Sequence, residues 1–350
     1  MWVTSSLTSV LTPTAVALGN FDGVHRGHRQ VIQPVLNSVA SVQPLTTSFF
    51  KDDLFKTDEP NESLLLSPSS AIAAGTNSEL PYPTVVTFNP HPQEFFSGQP
   101  RALLTPLNEK VLQLQAMGVR QLVLLPFDRE LADLSPQAFV EEILVQRLQA
   151  QQISVGVDFR FGRQRAGTAA DLQAIAATYG IAVSTVPLCT CADERISSSN
   201  IRTALQAGDL QRANRLLGRP YSLMGQVVWG QQLGRTIGFP TANLQLPPEK
   251  FLPSHGVYAV QVQSSTLSGL QTPCSAVMNI GHRPTVNGIS RTVEIHLLDW
   301  DGDLYGQTLI VSLKHFLRPE QKFASLEALK TQIQADCLSA RSLLATAPSV

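Results

Sequence analysis

Between Ala15 and Val186 short apolar runs alternate with helical stretches, whereas beyond Gly218 such runs follow one another with only Gly- and Pro-bearing turns between them. Neighbouring parallel strands need a long crossover, usually a helix, while antiparallel strands need only a turn. The change of rhythm therefore divides the chain into an α/β domain with a Rossmann-like parallel sheet and a small antiparallel β-barrel. The boundary falls at Gly218-Arg219-Pro220-Tyr221 and predicts domains at 1–218 and 219–350, and 350 residues suffice for two separate cores.

In the first half the pattern predicts strands at 15–18, 84–88, 121–125, 153–157 and 181–186. Helices are expected at 31–42 (broken at Pro34), at 107–117 (stopped by Gly118), from the Ser135-Pro136 cap to about Ala150, and at 171–179. Residues 43–81 form an insertion rich in Ser, Thr, Pro and Asn, either mobile or folded as a lid, since they also carry Phe49-Phe50 and Leu64-Leu65-Leu66. In the second half strands are expected at 223–229, 256–262, 275–280, 292–298 and 308–313. An amphipathic helix at 319–341 is expected to use Phe323, Leu326, Leu329 and Ile333 as its apolar stripe.

Lys plus Arg at 26 against Asp plus Glu at 27 argue against a broad basic field, and so against nucleic acid as a partner. Four cysteines without a framework spacing suit reduced thiols and the cytoplasm. No secretory leader or membrane-length apolar run is read, and nothing points to an obligate protein partner.

The first chemical signal is Gly19-Asn20-Phe21-Asp22-Gly23-Val24-His25-Arg26-Gly27-His28, between a strand and a helix. Backbone amides and the helix dipole at such a turn favour an anion, the glycines permit close approach, and His25 and His28 can both donate to it. No P-loop lysine follows, the spacing is not the dinucleotide fingerprint, and a His pair without a Cys-x-x-Cys argues against structural zinc. The stretch resembles the signature of the nucleotidyltransferase superfamily, in which the histidines contact ATP phosphates and the second stabilises charge as the α-phosphorus is attacked.

Three further stretches follow along this half. Asn89-Pro90-His91-Pro92 is a stiff loop at a strand's C-terminal end. Asp158-Phe159-Arg160-Phe161-Gly162 suits a stacked ring and phosphate contacts, or simply the core in the case of the two Phe. Ile196-Ser197-Ser198-Ser199-Asn200-Ile201-Arg202 reads as a capped helix start or a second anion cradle. Taken with Gly208-Asp209-Leu210, these stretches resemble the adenylyltransferase module of the bacterial bifunctional riboflavin kinase/FAD synthetase family. The 43–81 insertion is longer than that family usually carries.

In the second half Gly234-Arg235-Thr236-Ile237-Gly238-Phe239-Pro240-Thr241-Ala242-Asn243 leads to a hydroxyl and a carboxamide two residues apart, hard oxygens suited to Mg²⁺. Residues 279–285 read as a second turn, and Glu294 on an alternating strand suits either a buried ion pair or a general base. With Glu294 to Gly306 and Phe316 to Phe323 these residues resemble the family's riboflavin kinase module. Trp229, where a His is frequent, and His282 depart from common versions.

The resemblance implies phosphorylation of riboflavin to FMN with MgATP, then adenylylation of FMN to FAD with release of pyrophosphate. By it the catalytic residues are Glu294 as base, with His25 and His28. ATP contacts fall on Gly19, Phe21, Asp22, Gly23, His25, His28, Ser197, Ser198 and Arg202 in one domain and on Gly238, Thr241 and Asn243 in the other. Flavin contacts fall on Asn89, His91, Asp158, Phe159 and Arg283, and Mg²⁺ on Thr241 and Asn243. The rival readings are an adenylyltransferase for another acceptor and a flavin-binding regulator without turnover.

Overall fold

The computed structural model describes residues 1–38, 80–230, 233–264, 266–267, 269–285 and 288–345, so the 43–81 insertion lies outside the described residues but for its last two. The chain forms two compact units, one of Met1–Arg101 with Leu107–Ile196, the other of Ala102–Pro106 with Ser197–Val350.

The first unit is built on a parallel sheet of β1 (Trp2–Thr4), β2 (Thr14–Leu18), β3 (Tyr82–Asn89), β4 (Gln121–Pro126), β5 (Ala150–Gly156) and β6 (Ala182–Val186), in the order β1-β4-β3-β2-β5-β6. Its helices include α1 (Arg26–Asn37), α2 (Leu107–Ala116) and α3 (Ala169–Ala177). Every residue of β2 is buried, because alternate side chains serve opposite faces. Val16 and Leu18 join Val86, Val123 and Ile153 in one core cluster, whereas Ala15 and Ala17 meet Val31, Ile32 and Leu114 in the other. The chain lays β3 and β4 on one side of β2 and then crosses to lay β5 and β6 on the other. The C-terminal ends of β2 and β5 thus flank the point where strand order reverses, which is where open α/β sheets leave a ligand crevice.

Two helix expectations need correcting. Pro34 does not break α1, which runs through it to Asn37. Burial of Val31, Ile32 and Val35 against the sheet outweighs the one backbone bond a proline removes. The stretch after Ser135 is a short α turn, Pro136–Ala138, that widens into π-helix over Phe139–Arg147, and β5 starts already at Ala150. The edge strand β1 adds to the five strands expected.

The second unit is a closed antiparallel barrel of β7 (Tyr221–Val228), β8 (Ala242–Gln245), β9 (Gly256–Gln263), β10 (Cys274–Thr285), β11 (Gly288–Leu297) and β12 (Thr308–Arg318), ordered β7-β8-β11-β10-β9-β12. It has six strands where five were expected, since β8 is only four residues long and starts two residues after Pro240. The expected turn at 279–285 is instead extended chain inside β10, paired residue by residue with β11. Helices α4 (Ser198–Gln206) and α5 (Leu210–Leu217) pack within this unit: Asn214 donates from Nδ2 to the Leu313 carbonyl at 3.0 Å and accepts the Tyr221 N–H at 2.8 Å. The segment 102–106 adds an extended pairing, Leu103 against Lys250.

The closing helix α6 spans Leu326–Ala345, not 319–341, and its buried residues are Asp336, Cys337, Ala340 and Leu344. Of the stripe expected from spacing, Leu326 is exposed and Ile333 is only partly buried. The buried face also carries an ion pair at the barrel wall. Arg318 grips the Asp336 carboxylate with Nε at 3.0 and 3.1 Å and Nη2 at 2.8 Å, while Gln332 donates to the same carboxylate at 2.9 Å. Among the described residues no helix is long and apolar enough to cross a membrane.

Candidate active sites

After Leu18 the first unit must turn from a buried strand into α1 within seven residues. Phe21, Gly23 and Val24 take positive φ of 47°, 97° and 41° to do so. Gly23 pays little for this, but Phe21 and Val24 hold it only because both are fully packed in the core. His25 ends the turn as the N-cap of α1, and its Nδ1 accepts the His28 N–H at 3.2 Å. That acceptor role assigns the proton of a neutral His25 ring to Nε2.

The two imidazoles stack with centroids 3.5 Å apart and planes 14° off parallel, and the Phe21 ring meets His28 edge-on at 5.2 Å. A Cβ on Gly27 would lie 3.3 Å from two atoms of the His25 ring, so the glycine makes room for the stack. His28 Nδ1 is buried without a hydrogen-bond partner among the described residues. Burial first, then the neighbouring His25 and Lys110, hold the His28 pKa well below the ordinary 6.5, so this ring is neutral at pH 7. A neutral His28 stacked on His25 at a helix N-terminus can donate to a phosphate oxygen without itself binding a proton.

Asp22 is buried within this turn, and Lys110, buried beside it, reaches in from α2 to donate from Nζ to the Asn20 carbonyl at 3.1 Å. Lys110 was not foreseen, because on sequence alone it is one polar position of an amphipathic helix. Asn89 lies exposed at the C-terminal end of β3, which pairs with β2, so its loop opens at the sheet edge that carries the histidines. His91 caps a short helix, Pro92–Ser97, its Nδ1 accepting the Gln93 N–H at 3.1 Å. Asp158 is exposed after β5 and accepts from Arg195 Nη2 at 2.6 Å. Phe161 belongs to the core, and Phe159 is partly buried on it with near-parallel rings 5.8 Å apart. Phe21 is likewise core, so its side chain meets His28 from the protein side.

Ser197, Ser198 and Arg202 belong to the second compact unit, and His25, His28 and Asp22 to the first. Ser197 caps α4 through the Asn200 N–H at 3.2 Å. Arg202 donates to the Ala102 carbonyl at 3.0 Å and lies 5.6 Å from the centre of the Phe251 ring.

In the barrel, Asn243 of β8 pairs directly with Glu294 of β11, and Glu294 pairs on its other side with Asn279 of β10. Residues directly opposite across neighbouring strands share a sheet face, so an amide, a carboxylate and a second amide form one row. Val277 and Leu298 of the outer face lie against α6 and Ile295 of the inner face is fully buried, which puts this partly exposed row on the barrel's outside. Gly230 comes so close beneath it that a Cβ there would lie 2.0 Å from Asn243 Nδ2. Gly238 has φ of 91° in the loop before Thr241, and a Cβ on Gly234 would sit 3.3 Å from Thr241 Oγ1. His296, on the Glu294 face, meets the Pro240 carbonyl through Nδ1 at 2.8 Å and the Phe239 ring edge-on, which ties that loop to β11. Arg283 lies in β10 opposite Ser290, and its side chain is outside the described residues. Asn279 escaped sequence reading because it was assigned to a turn.

One unit thus carries a stacked imidazole pair where the strand order of a parallel sheet reverses, and the other carries an Asn-Glu-Asn row on a barrel. The family described as FAD synthetase matches residues 7–70 and 65–200, and that described as riboflavin kinase matches 217–344. Bifunctional riboflavin kinase/FMN adenylyltransferase of Escherichia coli K12 is 39% identical over 327 residues, 93% of this chain and 91% of that protein. The chain belongs to the bifunctional riboflavin kinase/FMN adenylyltransferase family.

Relatives with the same name in Pseudomonas fluorescens and Bacillus subtilis are 38% and 33% identical, covering 94% and 92% of this chain and 92% and 90% of theirs. A crystal structure titled macrolide-efflux protein, from Streptococcus pneumoniae, matches with a TM-score of 0.75 at 28% identity over 97% of this chain and 98% of that one. The chain is therefore a riboflavin kinase and an FMN adenylyltransferase, with riboflavin, FMN and ATP as substrates. The kinase match over the barrel sets aside the rival of an adenylyltransferase acting on a different acceptor alone.

Proposed function

We propose that the two activities divide between the halves 1–218 and 219–350, and that each rests on the residues grouped above. In the kinase half the Glu294 carboxylate takes the proton of the riboflavin 5′-hydroxyl as that oxygen attacks the γ-phosphorus of ATP, the bond to the β–γ bridging oxygen breaks and ADP leaves. Asn243, Asn279 and Thr241 orient the reactants around it. In the adenylyltransferase half His25 and His28 donate to the phosphates of a second ATP at the N-terminus of α1, while an FMN phosphate oxygen attacks the α-phosphorus and pyrophosphate leaves. Asn89, His91 and Asp158 stand at the same sheet edge, where FMN has to approach. The observation that carries the assignment is the Asn243–Glu294–Asn279 row, since only Glu294 in it can accept a proton.

Thr241 and Asn243 fit Mg²⁺ in kind, as neutral hard oxygens that leave most of the coordination shell to phosphate and water. Among the described residues no group of three His, Cys, Asp or Glu forms a cage for an ion, so the ion is expected to arrive with ATP. When bound, it neutralises the phosphate charge that the attacking oxygen must approach. All four cysteines are free thiols, which suits a cytoplasmic enzyme.

The test is a pair of variants assayed for both steps. Glu294→Gln is expected to abolish FMN formation and leave FMN-to-FAD conversion intact, and His28→Ala to do the reverse. Loss of both activities in either variant, with an unchanged melting profile, would sink the division.

A further inference from the structure

We propose that Lys110 is a positioning residue of the adenylyl-transfer site: with the Thr87 hydroxyl its buried ammonium clamps the Asn20 carbonyl, and so fixes the turn that carries His25 and His28. The proposal rests on the assignment of these histidines to adenylyl transfer. Asn20 accepts at its carbonyl from Lys110 Nζ at 3.1 Å and from Thr87 Oγ1 at 3.0 Å. The two donors come from different elements, α2 and β3, and both are buried. The clamp sits one residue before Phe21, whose positive φ and buried ring begin the turn. Removing it leaves a strained backbone with one fewer restraint, and small displacements of reacting groups are costly in rate.

A buried ammonium is an expensive way to make one hydrogen bond, so its charge needs a purpose. Desolvation lowers the Lys110 pKa, and the Asp22 carboxylate acts against that shift. The same ammonium opposes protonation of His28. The charged and titratable groups acting on that ring are His25 from the same turn and Lys110 from α2, with Asp22 balancing Lys110. Lys110 thereby helps keep His28 a neutral donor where negative phosphates would otherwise draw a proton onto it.

The experiment compares FMN-to-FAD kinetics against pH in the wild-type chain, Lys110→Met, Thr87→Val and His28→Ala, with histidine NMR titration of His28. Lys110→Met is expected to cut kcat by about ten-fold or more, to move the acid limb of the rate profile to higher pH, and to raise the His28 pKa. Thr87→Val removes half of the clamp without touching charge, so it is expected to lower kcat with the acid limb unmoved. If His28→Ala is impaired while Lys110→Met keeps the wild-type kcat and acid limb, Lys110 has no positioning role. If His28→Ala itself turns over normally, the underlying assignment fails instead. Should Lys110→Met fail to fold, Thr87→Val decides: full activity in it overturns the clamp.

Discussion

Gly230→Ala offers a direct test of the kinase site. In the structure a Cβ at this position would stand 2.0 Å from Nδ2, 2.4 Å from Cγ and 2.7 Å from Oδ1 of Asn243. Ordinary contact starts near 3.4 Å, so the carboxamide has to retreat by about 1.4 Å or rotate out of the row it forms with Glu294. The obstructed atoms are the end of a flexible, partly exposed side chain, so the fold can yield at little cost, below about 1 kcal/mol. Catalysis cannot yield so cheaply, since a misplacement of about 1 Å among positioned groups costs on the order of 10²-fold in rate. The expected result is a kcat/KM for FMN formation lowered about 10²-fold, or ~2.7 kcal/mol of transition-state stabilisation. Separating riboflavin, FMN and FAD by chromatography after incubation with MgATP reads both steps from one preparation. FMN-to-FAD conversion is expected to stay at the wild-type rate and the melting temperature to change by no more than a few degrees. A Gly230→Ala enzyme that makes FMN within two-fold of wild type would refute the placement of Asn243 in the reacting constellation. So would an equal effect of the substitution when Asn243 is already Ala, because the clash would then have no target.

Three other outcomes follow from the same geometry. Because the folded chain holds the His28 pKa below 6.5, the unfolded state binds more protons between those two values, and stability must fall as pH drops through that window. Denaturant titration at stepwise lower pH should show a His28 contribution of at most about 1.4 kcal/mol per pH unit, absent in His28→Phe; an unchanged slope in that variant would count against the neutral ring. Asp336→Ala leaves the Arg318 guanidinium largely buried without its carboxylate, so the barrel unit is expected to lose about 3–5 kcal/mol, measured by calorimetry. A loss under 1 kcal/mol would mean that apolar contacts alone seat α6. Gly27→Ala inserts a methyl group 3.3 Å from the His25 ring; it should lower FMN-to-FAD turnover while FMN formation is unaffected, and equal turnover would show that the stack tolerates the displacement.

The parallel sheet was legible because β2, β3, β4 and β5 carry apolar side chains on both faces and helical spacing separates them. The barrel was legible because its strands recur without helices. The histidines were legible because their turn packs glycines, an acid and two imidazoles into ten residues. What spacing misread has a common cause, since periodicity tells which faces are apolar and not what they meet. In α6 the expected stripe lost to the face that brings Asp336 to Arg318, a partner eighteen residues away on another element. Pro34 was read as a break because the sequence does not show the packing that carries α1 across it.

Backbone periodicity and side-chain chemistry are local properties, so the two architectures and the residues able to donate to phosphate or accept a proton could be read along the chain. The reaction classes came through the family resemblance of its motifs. Only the tertiary structure decided that Asn243, Glu294 and Asn279 form one row and that Lys110 and Thr87 meet at the Asn20 carbonyl. Strand register brings together the first three, and helix-on-sheet packing the others, across separations of up to ninety residues. Such encounters are fixed by burial and hydrogen-bond pairing of the whole fold, which no single stretch of chain encodes.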